Sequence, residues 1–282
     1  VTTVVRPPKA TPAIPLRLRT ALLLAAASLL GLFAFLWPLA VRTDGDGPDL
    51  AHAGDAPWLF VLLLPLLLGI VLAEVADGTL DAKAVAMLGV LAACGAALRL
   101  PAGGIGGFEP IFFLFIPAGR VLGRGFGFVL GAVTLFVSAL LTGGVGPWLP
   151  FQMFGAAWVG FFAGCLPPLR GRAEIFLLAA YGVVASLAYG LLLNFWFWPF
   201  GASSGSSISF VPGAGTVENL QRFWAFHLAT SLGWDLPRAA TNAVLLLVAG
   251  PAVLAALRRA ARKAAFGAPV EFAPAAPPPD VL

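Results

Sequence analysis

The sequence predicts an all-α membrane protein with several spans, and three observations carry that expectation. Hydrophobic residues make up 60% of the chain and charged residues only 11%, against roughly a quarter charged in soluble domains. Mean hydropathy is +0.93, and leucine, alanine, valine and phenylalanine fall in long blocks split by short polar stretches. Backbone polar groups in lipid must pair internally, which leaves helices or closed barrels. The alternating segments of about ten residues that a barrel requires do not occur in the sequence.

Taken in order, residues 1–16, with Pro7, Pro8, Pro12 and Pro15, predict an extended cytoplasmic tail. The block "LRLRTALLLAAASLLGLFAFLWPLAV" has basic flanks like a signal peptide, but its apolar run is too long and no small-x-small site follows, so a retained helix is expected. Membrane segments are expected at 19–41, 57–76, 83–98, 109–122, 124–143, 146–164, 174–198 and 237–258. The third and fourth are short for a full span and are expected inside the bundle. Residues 265–282 make a second Pro/Ala-rich cytoplasmic tail. The chain thus divides into two additional N-terminal helices (17–78) and a six-helix core (79–264), with an outer lid at 199–235.

Basic residues set the expected orientation. With the N-terminus inside, Arg6, Lys9, Arg17, Arg19, Lys83, Arg120, Arg124, Arg170, Arg172, Arg258, Arg259, Arg262 and Lys263 are cytoplasmic, thirteen of seventeen. Arg42, Arg99, Arg222 and Arg238 fall outside. Both termini are then inside, as an even number of spans requires. Within the outer loop after 198, "VENLQRFWAFHLATSLGW" places Leu220, Phe223, Trp224, His227, Leu228 and Ser231 on one helical face, an amphipathic helix lying on the outer surface.

Several chemistries are excluded. Only three lysines occur and none follows a glycine, so no phosphate-cradling loop exists and the chain does not hydrolyse ATP. Gly125, Gly127 and Gly131 miss the dinucleotide-loop spacing and read as small residues that let helices approach closely. His52 and His227 lie in separate outer loops, which disfavours a metal site. Cys94 and Cys165 read as packing residues. No pair of mid-membrane acids forms a proton relay. No nucleic-acid partner is expected.

Uncommon polar residues collect near the outer side: Glu109 at the start of the fourth segment, Ser138 and Thr142, Trp148 and Gln152, Asn194 and Trp198, then Asp235, Arg238 and Asn242. With His227 on the lid, they make a candidate substrate site of aromatic walls and convergent polar groups. An interfacial aromatic belt, amides bonded to one another, and an Asp235–Arg238 pair closed on itself are the alternatives. In the third segment Ala82, Ala86, Gly89, Ala93 and Ala97 share a face. Such a face serves close packing either within the chain or with another subunit.

The stretch "FEPIFFLFIPAGRVLGRGFGFVLGAVTLFVSALLTGGVGPWLPFQMFGAAWVGFFAG" and the later "LGWDLPRAATNAVLLLVAG" resemble the substrate-binding (S) component of energy-coupling factor (ECF) vitamin transporters. The similarity covers about residues 83–262; the two preceding helices depart from the family's six-helix pattern. The resemblance implies a non-enzymatic subunit of an ABC-type importer in the cell membrane. Such a subunit captures a vitamin from outside and works with a transmembrane coupling subunit and two ATPases; ATP is used by those partners and no cofactor is expected. "LPAGGIGGFEP" would be a gate over the ligand, and Ala86, Gly89, Ala93 and Ala97 would dock on the coupling subunit. Cobalamin-type members are the most similar, through "GGVGPWLPFQM"; riboflavin or another vitamin or precursor is the alternative within the family. An intramembrane enzyme or a membrane scaffold is the alternative from another class.

Overall fold

The computed structural model describes residues 12–40, 61–69, 72, 80–100, 106–201, 206–211 and 213–266. Helices build all regular structure among these residues: α1 (Leu18–Ala40), α2 (61–69), α3 (Ala82–Arg99), α4 (Phe112–Leu122), α5 (Arg124–Thr142), α6 (Leu149–Ala163), α7 (Gly171–Gly201), α8 (Thr216–Thr230), α9 (Leu232–Val248) and α10 (Gly250–Ala264). Four of them, α1, α3, α5 and α7, are long and apolar enough to cross a membrane, and the bent pair α9–α10 would make a fifth span. Most of the 57–76 segment and the tails beyond 12 and 266 lie outside the described residues.

The centre is α4, α5 and α6. Eight residues of α4, among them Phe112, Phe115 and Ile116, are buried, so this eleven-residue helix sits inside the bundle, as its length implies. Glycines make the close packing possible. A Cβ on Gly119 or Gly127 would run into the carbonyl of Gly160, one on Gly160 into that of Gly127, and one on Gly131 into that of Ala156. Three backbones therefore touch directly, the small-residue packing that lipid favours. Between α4 and α5 the chain turns at Gly123, whose φ of 116° suits a residue without a Cβ.

Two expectations about the helices need correction. The third segment does not sit inside the bundle: α3 buries Ala84, Leu88, Leu91, Ala92, Gly95 and Ala96 on one face only, and 33% of its span is buried. Its 18 residues suffice for a peripheral crossing. The last segment, 237–258, is not one helix. It begins earlier, at Leu232, and bends by 64° between Val248 and Gly250. Pro251 has no N–H to continue the hydrogen-bond ladder of α9 and sits in the first turn of a new helix, α10, where a proline is tolerated.

At 31 residues, α7 is about 46 Å long, well beyond a hydrocarbon core of about 30 Å. One end therefore carries Glu174 and the other carries Asn194 and Trp198. α1 packs across α6 and α7, with Phe35 edge-on to Phe151 at 4.9 Å and Trp158 donating to Ser28 Oγ at 2.9 Å. Residues 13 and 14 of the N-terminal stretch are not loose: their amides donate to the carbonyls of Val121 and Leu122 at 3.2 and 3.0 Å. The residues expected at the inner end gather together, since Lys83 Nζ donates to the carbonyl of Ala264 at 2.8 Å and Arg120 and Arg258 share Glu174.

Candidate functional site

Asp235, Arg238 and Asn242 recur at steps of three and four on α9, so they share one face. That face is buried: the three residues are 2%, 8% and 0% exposed. Unpaired charges at such depth are prohibitively costly, and the neighbouring elements supply the partners. Arg238 Nη1 donates to Asp235 Oδ1 at 2.8 Å and Arg238 Nε to Glu109 Oε2 at 2.8 Å. Arg99 Nε stands 3.6 Å from the other oxygen of Glu109, and Arg99 Nη1 lies 3.4 Å from Ser138 Oγ. Two arginines and two carboxylates thus balance within one cluster. The Arg238 guanidinium also lies over the Tyr189 ring, 5.2 Å from its centroid, a cation–π contact that desolvation strengthens.

α8 closes the cluster from above. Asn194 Nδ2 on α7 donates to His227 Nδ1 at 2.8 Å and also to Ser231 Oγ. With Nδ1 accepting, a neutral imidazole carries its proton on Nε2, which faces Asp235 Oδ2 at 4.0 Å. From the other side, Asn242 Oδ1 accepts from the Phe113 amide at 2.8 Å, while its Nδ2 donates to the carbonyls of Glu109 and Arg238, both at 2.9 Å. Asn242 therefore ties the chain entering α4 to α9. Gly107, with φ of 75°, brings that same chain against the backbone of Trp234, where a Cβ would not fit. Gly190 makes comparable room on α7, since a Cβ there would collide with the Asp235 carboxylate.

Three buried polar atoms of residues that contact Arg238 have no hydrogen-bond partner among the described residues: Ser186 Oγ, Tyr189 Oη and Asp235 Oδ2. Ser186 also receives Arg238 Nη1 on its carbonyl, at 3.4 Å. Orphaned buried polar atoms are few in native proteins, and each calls for an explanation such as a bound molecule or water.

Six of the residues expected from the sequence thus come together: Glu109, Asn194, His227, Asp235, Arg238 and Asn242. The closed Asp235–Arg238 pair is present, but it extends to Glu109 and does not stand alone. Asn242, expected to face a ligand, has its amide engaged by backbone on both sides, so its role is to position the loop. His227 lies on the helix expected within the outer loop, α8, and is buried there. The inward face of α8 is also rotated from the expected one, to Asn219, Phe223, Phe226 and His227, leaving Trp224 and Leu228 exposed. Asn219 causes the difference by bonding both the amide and the carbonyl of Val211, at 2.9 and 3.0 Å.

Other expected site residues have different neighbours. Trp148 is exposed and its indole N–H donates to the carbonyl of Gly144 at 3.1 Å, within the α5–α6 turn. Trp198 is fully buried, donates to the carbonyl of Ile208 at 2.7 Å, and stacks edge-on with Phe210 and Phe223. It anchors the loop before α8. Gln152 is partly buried in the first turn of α6, and Thr142 bonds back to the carbonyl of Ser138 at 2.8 Å. Residues 101–105 of the expected gate, and His52, lie outside the described residues. Arg99, Ser186 and Tyr189 were not expected. Tyr189 had a signal, being one of only two tyrosines and flanked by apolar residues.

On α3, Ala86, Gly89, Ala93 and Ala97 are all exposed, and a Cβ on Gly89 would meet nothing within 4 Å. Of the two packing partners left open by the sequence, the chain's own described residues are therefore not the one. In comparisons with protein-family models, curated proteins and solved structures, the chain matches none.

Proposed function

We propose that the chain is the substrate-capturing membrane subunit of an ECF-type importer, and that its ligand, a vitamin with cobalamin the first candidate, binds around Arg238 beneath α8. The observation that carries this reading is that three residues in contact with Arg238 beneath α8, Ser186, Tyr189 and Asp235, each bury a side-chain oxygen unsatisfied among the described residues. A ligand with its own donors and acceptors satisfies them. Ionisable residues inside membrane segments are costly and commonly mark substrate or ion pathways. Entry requires the 106–109 segment to move, because the Glu109–Arg238 contact latches it to α9; a carboxylate, phosphate or amide oxygen of the ligand takes Glu109's place on the guanidinium. Riboflavin or another vitamin is the alternative ligand in the same site.

The latched cluster faces outside in the orientation that the basic residues favour. In a background lacking Cys94 and Cys165, a cysteine at Ser207 should then react with an impermeant thiol reagent in intact cells, and one at Arg172 only after lysis. The reverse labelling would overturn the orientation.

The exposed small face of α3 is the docking surface for the transmembrane coupling subunit, which brings the two ATPases. Gly89→Leu and Ala93→Leu should lower vitamin uptake at least about ten-fold, since bulky side chains hold backbones apart, and leave vitamin binding by the isolated protein unchanged. Uptake equal to the parent's in both variants would remove this surface from the proposal.

A further inference from the structure

At the opposite end of the bundle from Arg238 lies a cavity of about 940 Å³, between the last turn of α4, the 164–170 connection, the start of α7 and α10. Arg120, Arg170, Arg258 and Arg262 line it, and among the described residues Glu174 is the one acid in its wall. Glu174 is 1% exposed, and both its oxygens accept from Arg258 Nη2, at 2.7 and 2.8 Å, while Oε1 also accepts from Arg120 Nε at 2.9 Å. Arg120 gives its remaining nitrogens to the carbonyls of Leu166 and Leu169. The carboxylate therefore fixes Arg120 and Arg258 and offsets one of their two charges, while Arg262, which also lines the cavity, is exposed. On the far side of Arg258 a second hollow, of about 500 Å³, shares Arg258 and Arg262, adds Arg172, and has an apolar wall of Ile175, Pro251, Leu254 and Ala255.

We infer that this arginine-lined hollow binds the phosphate headgroup of an anionic phospholipid, with the start of its acyl chains along the apolar wall beside α10. Position selects a lipid over a soluble anion. The candidate spans of α5 and α7 begin at Arg124 and Gly171, and the cavity is built from the chain between and beside those starts, so it sits where spans leave the hydrocarbon. α10 adds the chemistry of a surface helix: it turns 64° from α9, buries Leu254 and Leu257, and exposes Arg258, Arg259, Arg262 and Lys263. Basic helices of this kind attract anionic lipid, and guanidinium forks bind phosphate bidentately. The inference does not depend on the ligand at Arg238.

The test is native mass spectrometry of the full chain, released from micelles containing phosphatidylglycerol and phosphatidylcholine with identical acyl chains. The parent should retain phosphatidylglycerol preferentially. Arg262→Gln should weaken that retention about five-fold, and Arg172→Gln with Arg262→Gln about 25-fold, at about five-fold for each arginine lost near the surface; phosphatidylcholine should be unaffected. Unfolding midpoints of the variants establish that they fold, and the exposed single substitution serves if the double variant does not. Equal retention of the two lipids, or unchanged phosphatidylglycerol retention by folded Arg262→Gln, overturns the inference. Arginine-dependent thermal stabilisation by inorganic phosphate alone, as large as that by phosphatidylglycerol, would assign the hollow to a soluble phosphate and overturn the lipid assignment.

Discussion

Gly160→Leu should unfold far below the parent's denaturant midpoint, because three helices meet at the one backbone position it would block. A Cβ on Gly160 already collides with the carbonyl of Gly127, and the Gly160 carbonyl itself is what Gly119 and Gly127 pack against. Neighbouring side chains cannot yield, since the obstructing atoms are main chain. Overpacking with one or two methylenes costs about 1–3 kcal/mol where side chains adjust; a leucine against rigid backbone should exceed that and separate α4 and α5 from α6. Gly89→Leu, on the exposed face of α3, inserts the same side chain into open space and should keep the parent's unfolding midpoint. Titration with a denaturing detergent, followed by circular dichroism, compares the two. A Gly160→Leu protein with the parent's midpoint would mean that α4, α5 and α6 do not pack as described.

Arg238→Met should destabilise the folded protein by about 3–5 kcal/mol, the range for breaking a buried ion pair by removing one partner. The arginine is 8% exposed and holds two carboxylates, Asp235 and Glu109, each at 2.8 Å. Without it, among the described residues, Asp235 keeps His227, at 4.0 Å, and Glu109 keeps Arg99, at 3.6 Å. Much of the loss is the uncompensated charge left behind, so it should be recovered by neutralising the partners. The triple variant Arg238→Met, Glu109→Gln, Asp235→Asn should lie within about 2 kcal/mol of the parent, as replaced buried ion clusters often do. A single Arg238→Met with unchanged stability would mean that water reaches the cluster freely.

How far the sequence foretold this arrangement differs from element to element. Composition and block length were enough for helices in lipid, and the brevity of 109–122 was enough to place α4 inside the bundle. The glycines of α5 announced close packing by their size alone. The bend at 249 was also written locally, as Gly250-Pro251, but an unbroken apolar run masked it. For the site, sequence spacing put Asp235, Arg238 and Asn242 on one face, and depth in the membrane put Glu109 and Asn194 at the same level. What spacing cannot express is partnership across helices. Asn242 looked free because its acceptors are the carbonyls of Glu109 and Arg238 and its donor is the Phe113 amide, all groups that every residue carries. Glu174, a lone acid heading an apolar segment, was a missed signal of the same sort as Tyr189: an isolated polar group in a hydrophobic run asks for a partner, and the sequence does not say where it lies.

The most direct test uses the two hydroxyls that contribute nothing to the unliganded fold. Tyr189 Oη and Ser186 Oγ are buried without partners among the described residues, so Tyr189→Phe and Ser186→Ala should fold as stably as the parent, or more so, because removing an unpaired buried polar group relieves its desolvation cost. Purified parent protein is titrated with cobalamin, riboflavin, thiamine, biotin and folate, and the tightest ligand is then measured on both variants. One ligand should bind the parent and lose about five- to a hundred-fold in affinity on Tyr189→Phe, the equivalent of a buried hydrogen bond of about 1–3 kcal/mol. Binding of none of the five by the folded parent, or equal affinity of parent and both variants for the one that binds, would contradict a vitamin site at Arg238.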